Sequence, residues 1–267
     1  MGSKFTLRRR VHSVPDGCEE KENNEQKNNE VPRRSLRSNS VIETPIVPKP
    51  KVIEDLPFIS YKGEIVYCTN AIDISLACDR LLGEAEKAVD FIPLAFDMEW
   101  PFSFKTGPGK SALIQVCYDI NICYLFQISE LSRLPGPLTI LLKHPKVRCH
   151  GVNIKNDFRK LERDYKVDVE PMINNCIDLG VWYNEVTLRS GRWSLARLVA
   201  EVVHLQINKD KSVRMSQWNV VPLSANQQLY AAIDVYIGQV IYYEILKQQQ
   251  EFQKATEGLI NGNDIKV

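Results

Sequence analysis

FIPLAFDMEW, residues 91–100, decides how the rest of the chain is read. The run from Phe91 to Phe96 is apolar and predicts a buried strand. Side chains at i and i+2 of a strand share a face, so Asp97 and Glu99 stand side by side where that run ends. Two uncompensated carboxylates so close repel, and burial sharpens the repulsion. A divalent cation relieves it, and Mg²⁺ or Mn²⁺ takes oxygen ligands. A strand fraying into solvent also tolerates two acids, so the pair alone leaves both readings open.

Working outward, SALIQVCYD (111–119) and NICYLFQIS (121–129) are two further β-rich runs. TGPG (106–109) precedes the first, and the short Asp119–Asn121 turn separates the two, as hairpins require. Upstream, EIVYCTN (64–70) reads as a strand, followed by an amphipathic helix from Ile72 to Lys87 with Asn70 or Thr69 near its cap. Downstream, LTILLKH (138–144) reads as helix and VRCHGVN (147–153) as strand. Asn156 is expected to cap a helix opening at Asp157 and running through NDFRKLERDYK. NNCIDLG (174–180) reads as a weaker strand and SLARLVAEVV (194–203) as helix. A last helix runs from Ser224 into the 250s. Three antiparallel strands, then alternating helix and strand, predict an α/β fold with a mixed sheet flanked by helices.

The last helix contains LYAAIDVY (229–236). Tyr230 and Asp234 are four apart and share a face with Ile237 and Ile241, which turns Asp234 toward the protein body. Asp234 lies too deep in the helix to serve the amides of its first turn. Asp157, by contrast, sits where an acid simply suits the helix dipole, and attracts no notice by itself.

The 267 residues are 44% hydrophobic and 25% charged, enough for one sizeable core, and carry a formal net charge of +1. A near-neutral balance is not the footprint of a tight duplex-DNA binder. The seven cysteines show no CxxC pair, which points to a reducing compartment rather than a secreted protein. No apolar stretch approaches the roughly 20 residues of a membrane span. Residues 1–54 are polar or proline-punctuated and are expected to be a disordered tail; 55–255 form the domain and 256–267 a flexible end. Arg8–Arg10 and Arg33, Arg34 and Arg37 read as a nuclear-import signal, a nucleic-acid tether or simply a solvated tail, and Ser35, Ser38 and Ser40 beside them are candidate phosphorylation sites.

Taken together, D-x-E on a strand, an Asp opening a mid-domain helix and Y-x3-D on a late helix resemble, in order and spacing, the DEDDy 3′→5′ exonucleases. FDMEWPFSF, GPGKSALIQVC, GVNIKNDFRKL, RWSL and KDKSVRMSQW extend the resemblance to the exonuclease domain of the Werner syndrome helicase, over roughly residues 55–250. The resemblance implies a ribonuclease H-like (DnaQ-like) fold and two divalent metal ions, Mg²⁺ or Mn²⁺, held by Asp97, Glu99, Asp157 and Asp234. It implies that Asp97 bridges the metals, that Glu99 and Asp234 complete one site, and that Asp157 supports the second through water. Two metals about 4 Å apart serve to activate water and to brace the leaving 3′-oxygen. Tyr230 would orient the attacking water, since a phenol of ordinary pKa near 10 is a poor base at neutral pH. Candidate nucleic-acid contacts are Met98 and Trp100 beside the acids and the cations Lys209, Lys211 and Arg214. Arg159 stands where the Werner domain has tryptophan and is a further candidate contact, a cation for phosphate in place of the aromatic. Trp193, His144, His150 and Cys149 read as structural.

The resemblance implies an exonuclease acting on DNA with an accessible 3′ end, single-stranded or recessed, with a role in repair or replication, and with the basic clusters it makes the nucleus the expected location. A RecQ-type helicase in trans is a candidate partner, and no membrane partner is expected. An RNA-trimming enzyme of ribonuclease D type has the same acids and tyrosine. A non-catalytic nucleic-acid-binding module on a degenerate nuclease fold is the third reading, opposed by the presence of all five residues.

Overall fold

The computed structural model describes residues 55–208 and 210–262. The basic clusters, the serines beside them and Lys209 lie outside the described residues. Six strands form one mixed sheet: β1 (Glu64–Cys68), β2 (Ile92–Glu99), β5 (Leu113–Cys117), β6 (Ile122–Gln127), β7 (Val147–Gly151) and β8 (Ile177–Asp178). A separate two-stranded ribbon pairs β3 (Phe102–Ser103) with β4 (Gly107–Pro108). The sheet order is β1-β6-β5-β2-β7-β8. The three central β-rich runs pair antiparallel as expected, whereas β1 joins β6, and β7 joins β2, in parallel. This is the mixed α/β architecture that the alternation of elements predicts.

The two faces of β2 are divided by the pleat. Phe96 and Met98 point into a core shared with Ile114, Val116 and Phe126. Helices α1 (Ala71–Lys87), α2 (Gly136–Lys143) and α3 (Ile154–Tyr165) cover that side, through residues such as Leu81, Leu138 and Phe158. Ala95 faces the other way, where Cys117 and Cys123 pack under Ala232 and Val235 of the long helix α8 (Ala225–Gly262). Each fully buried leucine, isoleucine or phenylalanine of these layers contributes about 1.5–3 kcal/mol. Asn70 caps α1 as expected, accepting from the amides of Ile72 and Asp73, both at 3.0 Å.

Three expectations need correction. Helix α3 begins at Ile154, not Asp157, because its N-cap is Asn153, at φ 65°. Asparagine tolerates that left-handed turn, and the Asn153 amide donates to Asp178 at 2.8 Å. Segment 174–180 is not an extended strand: only Ile177 and Asp178 pair with the sheet, between α4 (Glu170–Asn175) and α5 (Leu179–Thr187). Proline near the start of α4 and the Asp178 carboxylate capping Gly180 and Val181 favour helix on both sides. Helix α8 runs to Gly262, past the boundary expected at 255, because EFQKATEG holds no proline and good helix formers. No helix among the described residues is long and apolar enough to cross a membrane.

Candidate active site

The site is built where α8 crosses β2. A Cβ placed on Gly238 would lie 3.7 Å from that of Ala95, so the helix rests closely on the strand. Gln239 fastens the crossing: its carbonyl oxygen accepts the Ala95 amide at 3.1 Å, and its NH₂ donates to Tyr118 O at 3.0 Å and Pro93 O at 3.3 Å. Four residues of helix advance about 6 Å and two of strand about 6.6 Å. Stepping back from Gly238 to Asp234 and Tyr230 therefore keeps pace with stepping on from Ala95 to Asp97 and Glu99. As a result, ligand oxygens of Asp97, Glu99 and Asp234 lie within 4.8 Å of one another.

The electrostatics are those of crowded acid. Burial, against the Met98 amide bond and the Arg214 charge, pushes Asp97 up to about 6. The same amide donates to Asp97 Oδ1 at 2.8 Å. Burial and then the charges of Asp97 and Asp234 raise Glu99 well above the carboxylate range. Asp157, on α3, stands outside the three-acid group; burial, then the charges of Asp97 and Asp178, push it up to about 8. An all-oxygen donor set whose members repel one another fits a hard divalent cation.

Tyr230 is pushed up by burial and then by Asp234 and Glu99, so its phenol keeps its proton at neutral pH. Its ring lies 6.0 Å from that of Trp218. The Trp218 side chain is fully buried, and its indole N–H donates to the Arg214 carbonyl at 3.1 Å. That anchor holds α7 (Lys211–Arg214) at the mouth of the site.

Asp97, Glu99, Asp234, Tyr230, Trp100, Met98 and Arg214 line one cleft of about 460 Å³, with Ile207, Met215 and Leu195 of α6 (Leu195–Val202) among its other walls; Asp157 does not line it. Of the expected contacts, Arg214 is brought to the acids, while Lys211 is exposed outside this cleft. Met98 directs its side chain into the core. Arg159 is exposed, 3.3 Å from Asn156 Oδ1, and lines a different cleft bounded by Trp182 and Tyr242. Two residues from Asp157 on a helix, it points to the opposite side. Trp193 is only partly buried and donates to Asn184 Oδ1 at 2.8 Å. His150 is buried, stacked on Tyr242 at 4.7 Å and bonded to Gln239 at 2.9 Å. Reading the sequence missed Asp178 and the apolar wall of Leu195, Ile207 and Met215. Asp178 was open to discovery by its capping pattern; the wall carried no local signal.

A family described as 3′-5′ exonuclease matches residues 69–250. A 3′-5′ exonuclease of Drosophila grimshawi is 48% identical over 262 residues, covering 92% of this chain and 79% of the relative. One of Drosophila erecta is 55% identical over 205 residues, covering 76% of this chain and 58% of the relative. Among solved structures, ribonuclease D of Escherichia coli superposes with a TM-score of 0.55 at 20% identity, covering 71% of this chain and 46% of that one. Ribonuclease D of Trypanosoma brucei in complex with RNA U12 gives 0.57 at 19% identity, covering 69% and 63%. The chain thus spans roughly half to two thirds of those two structures, which share its fold. It belongs to the 3′-5′ exonuclease family and is a nucleic-acid hydrolase with an acidic cluster suited to metal.

Proposed function

We propose that this protein is a 3′→5′ exodeoxyribonuclease that removes nucleoside 5′-monophosphates from DNA 3′ ends with two divalent ions. The observation that carries the metal chemistry is the approach of Asp97, Glu99 and Asp234 within 4.8 Å. In this reading those three hold one ion and Asp157 helps to hold a second. Bound there, the ions supply an activated water and charge relief for the leaving 3′-oxygen. Tyr230, protonated, orients the water by hydrogen bonding, and Arg214 meets the phosphate. The cleft walls take the terminal nucleotide and exclude water around it. The DNA preference, nuclear import through the N-terminal basic clusters, a repair or replication role and a helicase partner in trans rest on the resemblance to the Werner exonuclease domain.

The test is a recessed duplex labelled at the 5′ end of the recessed strand, incubated with Mg²⁺, Mn²⁺ or EDTA beside an RNA strand of the same sequence. A ladder of shortened DNA that EDTA suppresses is expected. Faster shortening of RNA would replace the DNA assignment with RNA trimming, and products released only from the 5′ end would refute the polarity.

A further inference from the structure

Beyond Glu99 the chain leaves β2 through Trp100 and returns to the sheet only at Leu113. The base of this excursion is fastened. Gly109 donates to Pro101 O at 2.8 Å, and a Cβ on Gly109 would lie 2.8 Å from Pro101 Cγ, so the approach requires glycine. The Ala112 amide donates to Glu99 O at 2.9 Å.

From α3, Lys160 grips that base. It is 7% exposed, and its Nζ donates to Gly109 O at 2.6 Å and to Asp164 Oδ2 at 3.0 Å. The same Nζ lies 4.8 Å from the centroid of the Trp100 ring. Asp164 in turn accepts the amide and the hydroxyl of Ser111, both at 2.7 Å. An ammonium with two hydrogen-bond partners and an aromatic face on its remaining side has little freedom left. Trp100, which it holds, lines the catalytic cleft.

We propose that Lys160 is a positioning residue that fixes the Trp100 indole as the platform on which the terminal nucleobase stacks. Stacking on an aromatic serves any base, as each presents a π-face. A fixed platform keeps the scissile phosphate over Asp97, Glu99 and Asp234 instead of letting the end wander. The inference rests on the nuclease reading above.

The experiment compares wild type, Trp100→Ala, Lys160→Met, the double variant and Lys160→Arg on two oligonucleotides, one with an ordinary 3′ nucleotide and one with a 3′ abasic residue. On the ordinary end, Trp100→Ala and Lys160→Met are each expected to raise KM about tenfold, with a smaller fall in kcat. The double variant is expected to match Trp100→Ala alone, because the lysine acts through the indole. On the abasic end all of these enzymes converge, and Lys160→Arg stays near wild type on both. Additive losses, or equal losses on the two ends, would overturn the proposal. If thermal unfolding shows that Lys160→Met does not fold, Lys160→Gln, which keeps a donor for Gly109, is read in the same way. A wild type inactive on both ends would overturn the nuclease reading, and this inference with it.

Discussion

Helix α3 carries two kinds of sheltered charge within two turns, and they behave oppositely. Lys160 and Asp164 neutralise each other at 3.0 Å, and their remaining bonds go to Gly109 and Ser111. Asp157 faces Asp97 and Asp178, charges of its own sign. The first arrangement is complete without any ligand and holds a loop in place. The second sets like charges together, and a bound cation would relieve their repulsion. Pairing therefore separates the charge that builds this protein from the charge that works in it.

The comparison breaks most visibly at Asp97. Asp97→Asn or Asp234→Asn is expected to lower turnover on the order of 10³-fold or more, by removing several kcal/mol of metal-borne stabilisation of the transition state. Circular dichroism should show an unchanged fold, and retained activity would sink the assignment. On the structural side, Asp164→Ala strands the Lys160 ammonium and is expected to cost about 3 kcal/mol of folding stability, read from urea unfolding. A loss near zero would mean that water replaces the carboxylate.

Metal sharpens the contrast further. At 100 times its Kd, Mg²⁺ or Mn²⁺ should stabilise the protein by about 2.7 kcal/mol, seen as a rise in Tm that EDTA reverses. Asp97→Asn should erase that rise, whereas Asp164→Ala should keep it.

The smallest effect concerns His150. Burial, against its bond to Gln239, lowers it to about 3 from an ordinary 6.5. The folded state then keeps it neutral while the unfolded chain takes up a proton below pH 6.5, so its contribution to stability falls as the pH drops. Between pH 7 and 5.5 the loss is about 1.3 kcal/mol. His150→Gln should flatten that part of the stability–pH curve, and an unchanged slope would place the titration elsewhere.

Much of this is legible in the sequence. The Asp97–Glu99 pair follows from a two-residue strand period, and the Tyr230–Asp234 face from the helical one. Both are local repeats, and both hold in the structure. Asp157 was not legible by geometry, because an acid in a first helical turn has a sufficient local reason to be there. Lys160 was less visible still: in NDFRKLERDYK it is one more basic residue, and its burial depends on a loop about fifty residues earlier. Segment 174–180 misled because two short helices left only two residues for the strand.

The sequence alone determined which stretches are strand and helix along most of the chain, and which acids share a face, since those depend on neighbours within a few residues. Only the tertiary structure decided that Gly238 rests on Ala95 and so sets Asp234 beside Asp97 and Glu99. It alone brought Arg214 to the acids, turned Arg159 away and closed Lys160 over Trp100. Those placements depend on contacts between segments far apart in the chain, where no local periodicity carries the information.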